Sequence, residues 1–169
     1  HDLRCRVRLV GRDVRDDRHR KLDEYRVRHG RGYSVIESRY ADIETRLTYF
    51  VPRRDPCEIW RLEIKNRGSA SRRFQVFTYF EWLLGTAPDW HREFHRLFVR
   101  TWFNQQKGAL LASKVLWDLP GEIGPHWNRD WAYVAFHSSS IHPSGYDAYK
   151  DAFLGRNQSL SAPDALIKG

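Results

Sequence analysis

The sequence predicts an all-β fold, an antiparallel β-sandwich, on three observations. Apolar and polar residues alternate with period two through most of the 169 residues. Pro, Gly and Asn clusters interrupt that alternation at short intervals, as hairpin connections do. Aromatic residues make up 14% of the chain, apolar area that rewards burial and argues against disorder. About eight or nine strands joined by short connections imply stacked antiparallel sheets with an aromatic-rich core.

The elements follow in order. In Leu3-Arg4-Cys5-Arg6-Val7-Arg8-Leu9 the apolar residues take one face and the arginines the other, the pattern of a half-buried strand. Gly11 to Glu24 is charged and without a period, so residues 1–24 read as a charged N-terminal strand and loop. Tyr33 to Ser38 is a short strand after the Gly30-Arg31-Gly32 turn. Ile43 to Val51 sets Ile43, Thr45, Leu47, Tyr49 and Val51 on one face, and Pro52 to Pro56 ends it, since proline cannot donate to a ladder. Glu58 to Lys65 turns Trp60, Leu62 and Ile64 inward, each worth about 1.5–3 kcal/mol before entropy. After the Asn66-Arg67-Gly68-Ser69 turn, Phe74 to Trp82 carries large residues on both faces, which suits a central strand covered twice. Gly85 to Asp89 is a loop and His95 to Phe103 a strand. Asn104 to Gly108 is a hairpin connection in which Gly108 is free to take positive φ, and Ala109 to Val115 returns from it. A Pro/Gly loop over Leu119 to Pro125 precedes a strand at Trp131 to Ser138. Ser138 to Tyr146 is loop, and Asp147 to Leu154 is one helical turn or an irregular segment. Neither an internal repeat nor an interdomain linker is visible, so 1–169 reads as one domain.

Composition narrows the function classes. The net charge is +8 at pH 7, mostly from arginine. A basic chain invites a nucleic-acid hypothesis. Here the arginines are spread along the strands with acids between them, and neither a zinc-finger spacing nor a basic helix is present, so nucleic acid is not the expected partner. Cys5 and Cys57 stand at apparent strand positions without a CxxC partner and read as two buried thiols. No apolar run reaches about 18 residues, so a membrane span is not expected. The chain opens at His1 and contains no Met, which reads as a fragment of something longer, with its sheets incomplete at the ends.

Four stretches carry chemistry. His91 and His95 lie four apart, but along a strand that is about 13 Å, too far to share a metal ion, so no metal site is expected. His126-Trp127-Asn128-Arg129-Asp130-Trp131 combines aromatic planes with an amide, a guanidinium and a carboxylate, a set suited to a sugar. The plainer reading packs Trp131 in the core and pairs Arg129 with Asp130. Glu81, set among Tyr79, Phe80 and Trp82, is either a general acid of raised pKa or a buried carboxylate bonded to backbone. A glycosidase needs a second carboxylate facing it. In Asp151 to Leu160, Phe153 and Leu154 can anchor, Gly155 can turn, and Arg156 and Asn157 are then presented; Asn157-Gln158-Ser159 also matches a glycosylation acceptor formally.

Six stretches together resemble the N-terminal domain of glycoside hydrolase family 94, formerly glycosyltransferase family 36. They are Val27 to Tyr33, Leu47 to Pro52, Ile59 to Leu62, Thr78 to Gly85, Gly108 to Ala112 and Phe153 to Leu160, in family order, with the last the most specific. The insertion around His126 to Trp131 is most similar to the oligoglucan-phosphorylase side of the family. The resemblance implies a β-sandwich of the super-sandwich type. It implies a parent enzyme in which a helical linker and an (α/α)6 barrel follow the 147–169 segment. That barrel would hold the catalytic Asp and the phosphate site, and inorganic phosphate, the co-substrate, would attack the anomeric carbon with inversion. No catalytic residue is therefore expected in this chain, and no cofactor. The resemblance further implies a β-linked gluco-oligosaccharide as ligand, the barrel and a second copy of the chain as partners, and a bacterial cytoplasmic location. The residues expected to touch sugar are Trp127, Asn128, Arg129, Arg156 and Asn157. A free-standing carbohydrate-binding module and a purely structural dimerisation domain are the competing expectations.

Overall fold

The structure, a computed structural model, describes residues 22–84, 98–115, 132–158 and 162–168, and a strand at 6–11. Nine strands and two short helices are formed among the described residues: β1 Arg6–Gly11, β2 Glu24–Gly30, β3 Tyr33–Tyr40, β4 Ile43–Phe50, β5 Ile59–Asn66, β6 Phe74–Tyr79, β7 Val99–Asn104, β8 Ala109–Lys114, β9 Val134–Ser138, α1 Lys150–Leu154 and α2 Asp164–Lys168. They form sheets in the orders β1-β6, β2-β3-β4-β5 and β7-β8-β9. The fold is all-β, as the period-two alternation predicts. The chain divides into two compact units, Leu9–Val76 and His1–Arg8 with Phe77–Gly169.

The first unit is an antiparallel meander whose register follows the pattern of side chains. Val27, Ile36, Leu47 and Leu62 stand opposite one another across its four strands. On the same face lie buried Ile43 and Leu47, the Ser38–Thr45 hydroxyl pair at 2.7 Å, and Tyr49 edge-on to Trp60 at 5.8 Å. The opposite face is ionic. Arg28 Nη2 meets Glu37 at 3.0 Å, Arg46 Nε lies 3.8 Å from Glu37 and 3.9 Å from Glu63, and Arg61 Nη2 meets Glu63 at 3.1 Å. Along the row Arg26, Glu37, Arg46 and Glu63 the signs alternate across four strands, so each in-register neighbour is attractive.

The second unit is built on β7-β8-β9, where Ala112 is fully buried and Ala109 nearly so. Thr101, Ala112 and Ala135 stand in register on one face, together with Phe103, Leu110 and His137. The chain after β9 packs on that face: the Tyr146 ring stacks on Phe103 at 4.0 Å, and Thr101 Oγ1 donates to the Ala148 carbonyl at 2.7 Å. Gly108 closes the β7–β8 hairpin at φ 57°, as expected of it.

Several expectations are corrected. Glu24 belongs to a strand rather than to the loop: Tyr25, Val27 and His29 alternate with Glu24, Arg26 and Arg28 in β2, and pairing with β3 fixes the register. Phe74 to Trp82 is not a central strand. β6 stops at Tyr79, pairs only with β1 among the described residues, and leaves Val76 48% exposed. The large residues beyond it leave the sheet and pack together, Phe80 edge-on to Trp82 at 4.6 Å. Ile64 is 38% exposed, because β5 is an edge strand of its sheet with only β4 beside it. Cys57 is a free, half-buried thiol in the loop before β5, not a strand residue; Cys5 lies outside the described residues. β9 begins at Val134, with Ala132 and Tyr133 exposed coil ahead of it.

The β3–β4 turn places two non-glycine residues, Ala41 and Asp42, at φ 45° and 65°. A two-residue turn of this handedness favours Asn at its first position, while Ala pays for the left-handed conformation. Ala41→Asn is therefore expected to stabilise the chain by about 0.5–1 kcal/mol. A higher urea midpoint at unchanged slope is the reading that checks it.

Candidate functional site

The second unit brings together two of the stretches that the sequence singles out, one after β6 and one at α1. α1 starts at Lys150 with extended Tyr149 before it and no side chain capping its first turn. Lys150 Nζ donates to Glu81 Oε1 at 2.9 Å, and the Tyr79 hydroxyl donates to the same oxygen at 2.8 Å. The Phe153 ring lies on Tyr79 with centroids 5.1 Å apart, and Leu154 is buried behind it. Two side chains, those of Lys150 and Tyr79, therefore hold Glu81, where the sequence suggested backbone. Its carboxylate is an ionic strut between two segments of chain, and no second carboxylate faces it among these partners.

Gly155 ends α1 at φ 82°, and its N–H donates back to the Asp151 carbonyl at 2.9 Å. A Cβ at this position would lie 2.3 Å from Asp164 Cγ, so only glycine admits the close approach of α2. Pro163, just before α2, is fully buried. The chain then turns through Arg156 and Asn157, both exposed, with Asn157 at φ 61°. The motif thus does what its composition suggests: Phe153 and Leu154 anchor, Gly155 turns, Arg156 and Asn157 are presented. Between them these two side chains offer a planar fork of N–H donors and an amide with both donor and acceptor.

A second cluster flanks the strut. Thr78 Oγ1 lies 3.1 Å from His137 Nε2, and the Phe80 ring lies 4.7 Å from the imidazole. Burial pushes the His137 pKa below its ordinary 6.5, so the neutral ring is favoured. Lys114, buried in β8, is likewise lowered by desolvation.

Of the five residues expected to touch sugar, Arg156 and Asn157 stand together on this turn. Trp127, Asn128 and Arg129 lie outside the described residues, as do His91 and His95. No group of three or more His, Cys, Asp and Glu gathers in metal-binding geometry among the described residues. Sequence reasoning does not single out Lys150, Asp164 or His137. One signal was available for Lys150: a cation at the first position of a helix, where the dipole favours an acid, implies a partner elsewhere.

Comparison with known proteins adds the family. The chain matches the model for the glycosyl hydrolase 94 supersandwich domain over residues 17–169. It is 33% identical over 155 residues to the cyclic beta-(1,2)-glucan synthase NdvB of Rhizobium meliloti, covering 89% of this chain and 5% of that protein. It is 27% identical to the solabiose phosphorylase of Paenibacillus borealis and 27% identical to the N,N'-diacetylchitobiose phosphorylase of Vibrio proteolyticus, each match covering 89% of this chain and 18% of the relative. The chain thus spans less than a fifth of the length of these relatives.

His137 sets a pH dependence. Its folded pKa lies below the unfolded value, so the unfolded chain binds more protons as pH falls below about 6.5, and stability is lost in that window. The urea midpoint is expected to fall between about pH 7 and pH 5, more steeply in the wild type than in His137→Gln, which keeps a polar partner for Thr78. Parallel slopes in the two proteins would be the contrary result.

Proposed function

Because the chain belongs to the glycosyl hydrolase 94 family, as a supersandwich domain, we propose that it is the non-catalytic domain of an inverting glycoside phosphorylase. In the parent enzyme, phosphate oxygen bonds to the anomeric carbon as the glycosidic C–O bond breaks. An acid in the separate barrel protonates the leaving oxygen, giving a sugar 1-phosphate and a free acceptor sugar. This domain supports that barrel, and its 155–158 turn edges the acceptor end of the site. The parent enzyme acts on β-linked gluco-oligosaccharides in the bacterial cytoplasm as a homodimer. The observation that carries the acceptor role is the exposure of Arg156 and Asn157 on a turn anchored on both sides, by Phe153 on Tyr79 and by Gly155 against α2. Such a turn holds donors in fixed directions, which recognition of sugar hydroxyls requires.

Two measurements test this reading. The chain alone, given phosphate and β-linked glucose oligomers, is expected to release no sugar 1-phosphate; release would place the chemistry here and overturn the assignment. In the parent enzyme, Arg156→Ala is expected to raise the acceptor KM in the synthetic direction by about ten- to a hundredfold, the roughly 1.5–3 kcal/mol of a lost charged hydrogen bond. An unaltered acceptor KM removes the turn from the site.

A further inference from the structure

We infer that Lys150 is a positioning residue whose ion pair with Glu81 sets the direction in which Arg156 and Asn157 project. The inference rests on the acceptor role proposed for that turn. Lys150 stands at the first position of α1, the end of a helix where a cation is least welcome. The structure supplies the compensation, since its ammonium lies 2.9 Å from Glu81 Oε1, and that oxygen is also held by the Tyr79 hydroxyl at 2.8 Å.

Geometry then carries the effect to the turn. Lys150 and Phe153 are three apart, so they project from neighbouring positions of the helix. Both fall on the same short stretch: Lys150 on Glu81, Phe153 on Tyr79. Thr101 holds the Ala148 carbonyl just upstream, and the Gly155 N–H closes on Asp151 just downstream. The ring contact can slide and the Thr101 bond acts before the helix begins. The ion pair is a directional tie on α1 itself, and with buried Leu154 and the approach of α2 at Gly155 it opposes rotation about the helix axis. Arg156 lies two residues beyond the helix end, so such a rotation swings the turn.

The size of the effect follows from exposure. The side chains of Lys150 and Glu81 are 43% and 29% exposed. A half-exposed pair contributes little to global stability and is screened by salt. Its removal should leave folding nearly intact while loosening the turn.

The test uses the full-length enzyme with Lys150→Met, which keeps the aliphatic stem and removes the charge. The acceptor KM is expected to rise about two- to fivefold at unchanged kcat, with little change in thermal midpoint. Lys150→Arg is expected to restore the wild-type KM, as is the exchanged pair Glu81→Lys with Lys150→Glu. Raising sodium chloride should raise the wild-type acceptor KM and leave that of Lys150→Met flat, a salt response that a merely structural role would not produce. If Arg156→Ala raises the acceptor KM while Lys150→Met does not, the strut is refuted and the acceptor role stands. If Arg156→Ala changes nothing, both fall together. A rise in Lys150→Met that neither Lys150→Arg nor the exchanged pair reverses would assign the effect to lost packing and overturn the inference.

Discussion

A five-residue helix cannot hold itself together in water. Fixing its first turn costs more than the few bonds it closes, and isolated helices below about 12–15 residues are marginal. α1 has five residues and no side-chain cap, so its conformation is borrowed from what it touches. Its lenders are the Glu81 carboxylate, the Tyr79 ring and the Thr101 hydroxyl. The turn beyond it, the placement of α2 against Gly155 and the display of Arg156 and Asn157 all depend on that arrangement. The family motif is therefore more than a loop sequence. It needs its counterpart at Tyr79 and Glu81, on which Phe153 and Lys150 rest.

The strands were legible wherever burial falls on one face. Ile43, Thr45, Leu47 and Tyr49 alternate cleanly, and β4 keeps them together in register. β2 is hard to read because all its own side chains are exposed: with Glu24, Arg26 and Arg28 at every second position, its alternation resembles a charged loop. β6 was read as too long for the opposite reason. Phe80 and Trp82 are apolar enough to continue a strand, but they are used on one another and on His137. Of the site, the anchoring and turning roles of Phe153, Leu154 and Gly155 followed from residue type alone. The Lys150–Glu81 pair did not, because 69 residues separate its members and no local rule joins them. Asp164 was hidden likewise, since nothing in its own neighbourhood says that a glycine elsewhere will admit it.

The four-stranded meander shows a division of labour between its faces. One carries the apolar row through Leu47; the other carries the ion pairs, with buried Val35 set among them opposite Arg28 and Thr48. Long arginine stems suit such a place, since their methylenes can cover a small apolar residue while the guanidinium stays wet. Part of the arginine content is accounted for without any polyanionic ligand: Arg26, Arg39 and Arg46 stand opposite acids on neighbouring strands.

That alternation of sign imposes a parity rule on the sheet. Glu37, Arg46 and Glu63 stand directly opposite one another on three successive strands, so the middle residue serves both neighbours. A chimera that imports one strand from a relative must import its sign pattern in phase. Out of phase, two like charges meet about 5 Å apart. The four strands are therefore better exchanged as a block than one at a time.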